Sequence, residues 1–223
     1  MALKIRSRAP LRLGFAGGGT DIEAYCNSNN GLVLNSTISI YAYTNIKVLN
    51  EKKVWLLITH AFIHADYLHL FFNMYVLYMF GPYLEFYFEY NASLEFISYI
   101  LFYILSAIFA TIPALYKNGN NPNYLSLGAS GAVSAVVFAY IVLNPLRELG
   151  IILLPGIWIP GFIFGILYLV AENYMSKKKY SNIAHDAHIS GSLFGVFFIL
   201  FFDLKNASNF IETISTYITN LLS

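Results

Sequence analysis

From residue 54 onward, long apolar stretches alternate with short polar breaks, whereas residues 1–50 show a shorter, strand-like alternation. In that first part Lys4, Arg6 and Arg8 alternate with Leu3, Ile5 and Ser7. Leu11 to Phe15 then leads to Gly17, Gly18 and Gly19, a glycine triplet that predicts a turn before Thr20 and Asp21. Asp21 opens a short acidic helix-like stretch, and residues 32–49 return to a period of two, rich in Val, Ile, Thr and Tyr, so a β-rich segment is expected.

Beyond a junction at residues 50–53, the apolar run 54–62 is too short to cross a bilayer. Longer runs follow at 68–88, 94–116, 131–146, 151–170 and 189–204, each close to the roughly 20 residues a membrane-spanning helix needs. Pro145 predicts a helix end before Arg147 and Glu148. Pro155 and Pro160 predict that the fourth spanning helix is bent or displaced, its freed carbonyls satisfied by neighbouring segments. The tail, 205–223, is mildly amphipathic and is expected to lie at the membrane interface or to be loosely ordered. The expected organisation is a β-rich piece at 1–50, an all-α transmembrane domain of about five spans at 54–204, and the tail.

Composition sharpens this pattern. With 57% hydrophobic and 11% charged residues and a mean hydropathy of +0.58, the chain is an expected integral membrane protein whose surroundings are a lipid bilayer. A net charge of +1 without a basic patch gives no reason to expect nucleic acid. The single cysteine, Cys26, excludes an internal disulfide and any CxxC metal knuckle. Met1 to Arg12 is basic and is followed by glycines instead of an apolar run, so no signal peptide is expected there.

The candidate chemistry gathers at three places. Gly128-Ala129-Ser130-Gly131-Ala132 sets one hydroxyl among small residues, where an Asn-rich loop becomes an apolar helix. The histidines fall into two groups, His60, His64 and His69 at the start of the first span and His185 and His188 at the start of the last; ionisable groups at membrane depth are costly and are candidates by default. His69 and Asn73, four residues apart, share a helical face. Gly131, Ala135 and Ala139 form a small-residue stripe, and Gly191 with Gly195 forms GxxxG, the pattern that lets membrane helices touch backbone to backbone. His188 lies about one turn before Gly191, so packing the stripes brings His188 toward Ser130, where an imidazole can take the hydroxyl proton. Other readings stay open: Ser130 as a packing serine bonded back to a carbonyl, or His60, His64, Asp66, His185, Asp186 and His188 as metal ligands. His185 alone reads as interfacial, and Lys177, Lys178 and Lys179 as a solvated loop.

Two resemblances follow from these residues. Through Arg8-Ala9-Pro10-Leu11-Arg12-Leu13-Gly14 and Ala16-Gly17-Gly18-Gly19-Thr20-Asp21, the first piece resembles the N-terminal edge of the GHMP small-molecule kinases, most closely the sugar and heptose-phosphate kinases. In that family this segment helps bind substrate and a separate Gly/Ser-rich loop holds the ATP phosphates. No such loop precedes the apolar runs, so a truncated β-element, a leader or a fusion remnant is expected here, not a kinase.

Through His64, His69-Leu70-Phe71-Phe72-Asn73, Gly128-Ala129-Ser130-Gly131 and Ala187-His188 with Gly191 and Gly195, residues 56–203 resemble the rhomboid intramembrane serine proteases. The resemblance implies a rhomboid-like bundle and a Ser130–His188 dyad that cleaves transmembrane protein substrates. It further implies an oxyanion held by the Ser130 N–H, Asn73 and His69, with His64, Gly128, Gly131, Gly191 and Gly195 shaping the cavity. No cofactor or metal is implied, and the implied location is a bacterial inner membrane. Two departures accompany it. The aromatic that many members carry four residues after the nucleophile is Ser134 here, so another group must orient His188; and the first of six family spans has no counterpart. Rival functions are a catalytically inert rhomboid-like binding protein and a histidine-rich membrane metalloenzyme. Lys47, Lys52, Lys53, Lys117 and Lys177 to Lys179 sit on the side where the cavity would open, against Arg147 and Lys205 opposite, which favours a cytoplasmic mouth.

Overall fold

Strand-like alternation near the N-terminus yields a two-stranded antiparallel ribbon, β1 (Leu11–Ala16) and β2 (Leu34–Ile38), with Leu11 opposite Ile38 and the register slipping between Gly14 and Ala16. The computed structural model describes residues 11–16, 34–38, 55–92, 96–118, 127–151, 154–177 and 184–223. The glycine-triplet turn, the Asp21 stretch, Cys26, Lys47, Lys52, Lys53, Lys178 and Lys179 lie outside them. The chain divides into two units, Met1–Ala42 and Tyr43–Ser223.

The second unit is helical. A short helix α1 (Leu56–Thr59) and a 3-10 turn (His60–Phe62) lead to α2 (Tyr67–Asn91), which Asp66 caps by accepting the His69 N–H at 2.7 Å. Then come α3 (Phe96–Asn118), α4 (Ser130–Leu143), α5 (Gly161–Ser176), α6 (His185–Phe202) and α7 (Leu204–Leu222). Among the described residues, 97–117 and 185–202 are long and apolar enough to cross a membrane by length and composition.

The fourth expected span, 151–170, is a correction. Its first half is a β-hairpin, β3 (Glu148–Ile151) paired antiparallel with β4 (Leu154–Pro160), and its helix starts only at Gly161 and runs to Ser176. Pro155 and Pro160 therefore do not bend a helix. Pro155 sits beside Gly156, whose φ of +91° only glycine adopts readily, and Pro160 is the cap immediately before α5, where its missing N–H costs nothing. In the tail, Leu204–Leu222 forms a regular 19-residue helix, α7, which excludes the loosely ordered alternative. Asp203 accepts the N–H groups of Lys205 and Asn206 at 3.0 and 3.2 Å, satisfying donors that otherwise fray a helix start. Tyr217 then packs its ring on Phe162, 5.7 Å between centroids.

At the centre stands α4, which packs chiefly on α6 and also meets α2 and α3. Gly131, Ala132, Val133, Ser134, Ala135 and Val136 are all buried. A Cβ on Gly191 would overlap the Gly131 carbonyl, and one on Gly195 would overlap the Ala135 carbonyl. The two stripes thus lie backbone on backbone, the arrangement that van der Waals packing favours where lipid supplies no hydrophobic drive between helices. At 14 residues, α4 is about 21 Å long, shorter than the roughly 30 Å of hydrocarbon in a bilayer. Surrounded by other helices, it need not reach both faces.

Candidate active site

Ser130 is the first residue of α4, so its N–H belongs to the first turn, which lacks intrahelical acceptors. Ahead of it the chain reverses at Gly128, where φ is +101° and an added Cβ would stand 2.5 Å from the His69 ring. Glycine is required there on both counts. His60 holds this turn through its carbonyl, which accepts the Gly128 N–H at 3.1 Å, and His64 Nε2 receives the Ala129 N–H at 3.5 Å. Burial outweighs the bond between His60 and the Leu56 carbonyl and lowers the His60 pKa. Burial, with His69 alongside, lowers that of His64. Both rings are therefore neutral at pH 7, the form in which His64 Nε2 can accept.

Across the seam, the first turn of α6 brings His188 Nε2 to 2.8 Å from Ser130 Oγ. The contact is set by the Gly131–Gly191 approach one turn away, since any side chain at Gly191 would push the helices apart. His188 Nδ1 lies 3.0 Å from Glu172 Oε1, and His185 Nδ1 lies 2.5 Å from Glu172 Oε2. The Glu172 and His185 side chains are only 8% and 4% exposed, so His185 is a buried partner of a carboxylate. The Tyr168 hydroxyl, one turn before Glu172 on α5, stands 3.1 Å from Ser134 Oγ.

Sequence reasoning missed Glu172 and Tyr168. The signal was present: with the helix beginning at Gly161, the residues Gly161, Gly165, Tyr168 and Glu172 recur at helical spacing on one face. Ending the span at Val170 left Glu172 in a loop and hid an intramembrane carboxylate that would otherwise have counted as a candidate.

On the α2 side the donors are turned elsewhere. Asn73 is buried, but its Nδ2 donates to the His69 carbonyl at 2.9 Å, and the His69 ring meets His64 edge to face at 5.1 Å. A small cleft beside Ser130, bounded by His60, Ala61, Ala107, Ala110 and Ala187, offers ≈ 10 Å³, about the room one water needs.

The metal set of the sequence reading is not brought together. Asp66 caps α2 and Asp186 pairs with Lys117 at 2.9 Å, while His60 and His64 serve the Gly128 turn. Among the described residues, Glu172, His185 and His188 are the group whose donor atoms lie within 4.8 Å of one another. Those atoms already pair at hydrogen-bonding distances.

Comparison with known proteins agrees with both halves of the sequence. The chain is 27% identical over 154 residues to the mitochondrial presenilin-associated rhomboid-like protein A of Danio rerio, covering 64% of this chain and 36% of that protein. Over 50 residues it is 50% identical to the D-glycero-alpha-D-manno-heptose 7-phosphate kinase of Campylobacter jejuni, covering 22% of this chain and 15% of the kinase. The chain thus spans little more than a third of one curated relative and under a sixth of the other. The Rhomboid domain family matches residues 51–204, which hold every residue of the serine–histidine seam, and on that match the chain is a member of the rhomboid family of membrane proteins.

Proposed function

We propose that this protein is an intramembrane serine endopeptidase that cleaves transmembrane substrates with a Ser130–His188 dyad. The observation that carries the reading is the 2.8 Å approach of His188 Nε2 to Ser130 Oγ at the half-buried start of α4. A serine hydroxyl is a weak nucleophile until an adjacent base takes its proton, and 2.8 Å is within the reach that base catalysis needs. Ser130 Oγ attacks the scissile carbonyl carbon as its proton passes to Nε2. The carbonyl π pair moves onto oxygen, and the tetrahedral adduct collapses with cleavage of the C–N bond while Nε2–H protonates the leaving nitrogen. Water then repeats the sequence on the acyl-serine, returning Ser130 and releasing the carboxylate.

The oxyanion is met by the Ser130 N–H and by Asn73 and His69, whose side chains swing from their resting partners when the carbonyl enters. His64, Gly128, Gly131, Gly191 and Gly195 hold the turn and the seam. The heptose-kinase-like piece at 1–50 is a separate fragment without kinase activity, and its 50% identity to a Campylobacter enzyme supports a bacterial inner membrane as the location. The test is cleavage of a single-span reporter protein in liposomes. Wild type is expected to release two fragments and Ser130→Ala none. Reporter bound by the wild type but never cut marks the inert binding protein instead.

A further inference from the structure

We propose that Glu172 is a positioning residue that extends the pair to a Ser130–His188–Glu172 triad, and that His185 aims it. The proposal rests on the serine-protease reading and deepens it. Its ground is the arrangement around one buried carboxylate. Oε1 faces His188 Nδ1 at 3.0 Å and Oε2 faces His185 Nδ1 at 2.5 Å. A carboxylate 8% exposed in a membrane helix is costly unless it is hydrogen-bonded, and here two imidazoles, one on each oxygen, meet it.

An ionised carboxylate only accepts, so a ring nitrogen facing it carries the hydrogen. With Nδ1–H of His188 committed to Glu172, Nε2 holds the lone pair and faces Ser130 Oγ at 2.8 Å. That is the tautomer a base needs, and Glu172 selects it. When Nε2 takes the serine proton, the same carboxylate stabilises the imidazolium without receiving a proton itself.

The aim of the carboxylate is fixed from the far side. His185 holds Oε2, and Tyr168 is held by Ser134 at 3.1 Å. Ser134 occupies the place, four residues after the nucleophile, where many relatives set an aromatic against the imidazole. In this chain the position holds the Tyr168 hydroxyl instead, and His188 is oriented through its ring nitrogen, not its ring face.

The test uses the full chain in detergent micelles, reading the rate of fluorophosphonate labelling and the kcat and KM for a transmembrane reporter peptide. Glu172→Gln presents an amide N–H or a weaker acceptor to Nδ1, and its kcat and labelling rate are expected to fall about 10³- to 10⁴-fold, in line with loss of the aspartate in other triads, with KM unchanged. Glu172→Asp keeps the charge and recovers part of the loss. Ser130→Ala run in parallel abolishes labelling. Labelling of Glu172→Gln at the wild-type rate, with Ser130→Ala inert, overturns the triad and leaves the dyad standing. Labelling that persists in Ser130→Ala overturns the dyad and the triad with it. If Glu172→Gln loses its cooperative melt, proton NMR of the wild type decides. A strongly deshielded Nδ1–H resonance that disappears in His188→Ala is expected, and its absence from the wild type overturns the proposal.

Discussion

Two regions flank Ser130 and differ in how far they are assembled. On the α4–α6 seam, glycines remove every atom that could separate the helices, and His188 is held between Ser130 and Glu172 by bonds of 2.8 and 3.0 Å. At the start of α2 the polar groups are satisfied among themselves, Asn73 on the His69 carbonyl and His64 on the Ala129 N–H. The difference follows from what each region must bind. On the proposed protease reading, a base and nucleophile need only each other and can be fixed by backbone packing, whereas oxyanion donors face a charge that exists only while a substrate reacts. Buried donors left waiting would be unsatisfied, so Asn73 takes a local carbonyl until a better acceptor arrives.

Several substitutions separate the two regions by the size of their effects. Removing the nucleophile with Ser130→Ala is expected to lower cleavage by about 10⁶-fold, as when a triad serine is lost elsewhere, with no change in thermal melting. Asn73→Ala is expected to reduce kcat by about 10²- to 10³-fold while leaving KM unchanged, because the amide meets the carbonyl oxygen only as charge develops; an equal loss in KM would mean that Asn73 binds substrate instead. Gly191→Val forces the seam open against the Gly131 carbonyl. A displacement near 1 Å costs on the order of 10² in rate, and the overpacking costs about 1–3 kcal/mol in stability, both readable from labelling rate and melting temperature.

The pH dependence of the Gly128 turn is smaller. His60 and His64 have pKa values below the ordinary 6.5, so the unfolded chain binds their protons at a higher pH than the folded chain does. Stability is therefore full above pH 6.5 and declines as pH falls below it toward the lowered folded values. Melting temperature followed from pH 8 to about pH 5 should show this decline, and His64→Gln should flatten it. The smallest effect is expected of chelators. The proposed base catalysis by His188 uses no metal, so EDTA should leave cleavage unchanged, and its abolition would favour a metal at Glu172, His185 and His188.

Much of the seam is legible in the sequence because close backbone contact needs small residues, and the repeats Gly131-Ala135 and Gly191-Gly195 announce it directly. Gly128 is legible for the same reason. Glu172 was hidden by a boundary error. Hydropathy cannot tell an apolar hairpin from an apolar helix, so residues 151–160 were counted into a span and Glu172 was pushed out of it. Had Pro155-Gly156 been read as a turn signal, the helix would have shifted to include the carboxylate. The resting bond of Asn73 was beyond the sequence, since sharing a face with His69 does not say which acceptor the amide chooses. The order of α7 depended on Asp203, whose capping role shows only once the end of α6 is fixed.

On the proposed reading, the α4–α6 seam makes Ser130 a nucleophile. The most direct measurement is mass-spectrometric mapping of the fluorophosphonate adduct on the full chain in a lipid bilayer. The account predicts one modified serine, Ser130, with no adduct in Ser130→Ala or His188→Ala. An adduct on another serine, or labelling that survives Ser130→Ala, would contradict it.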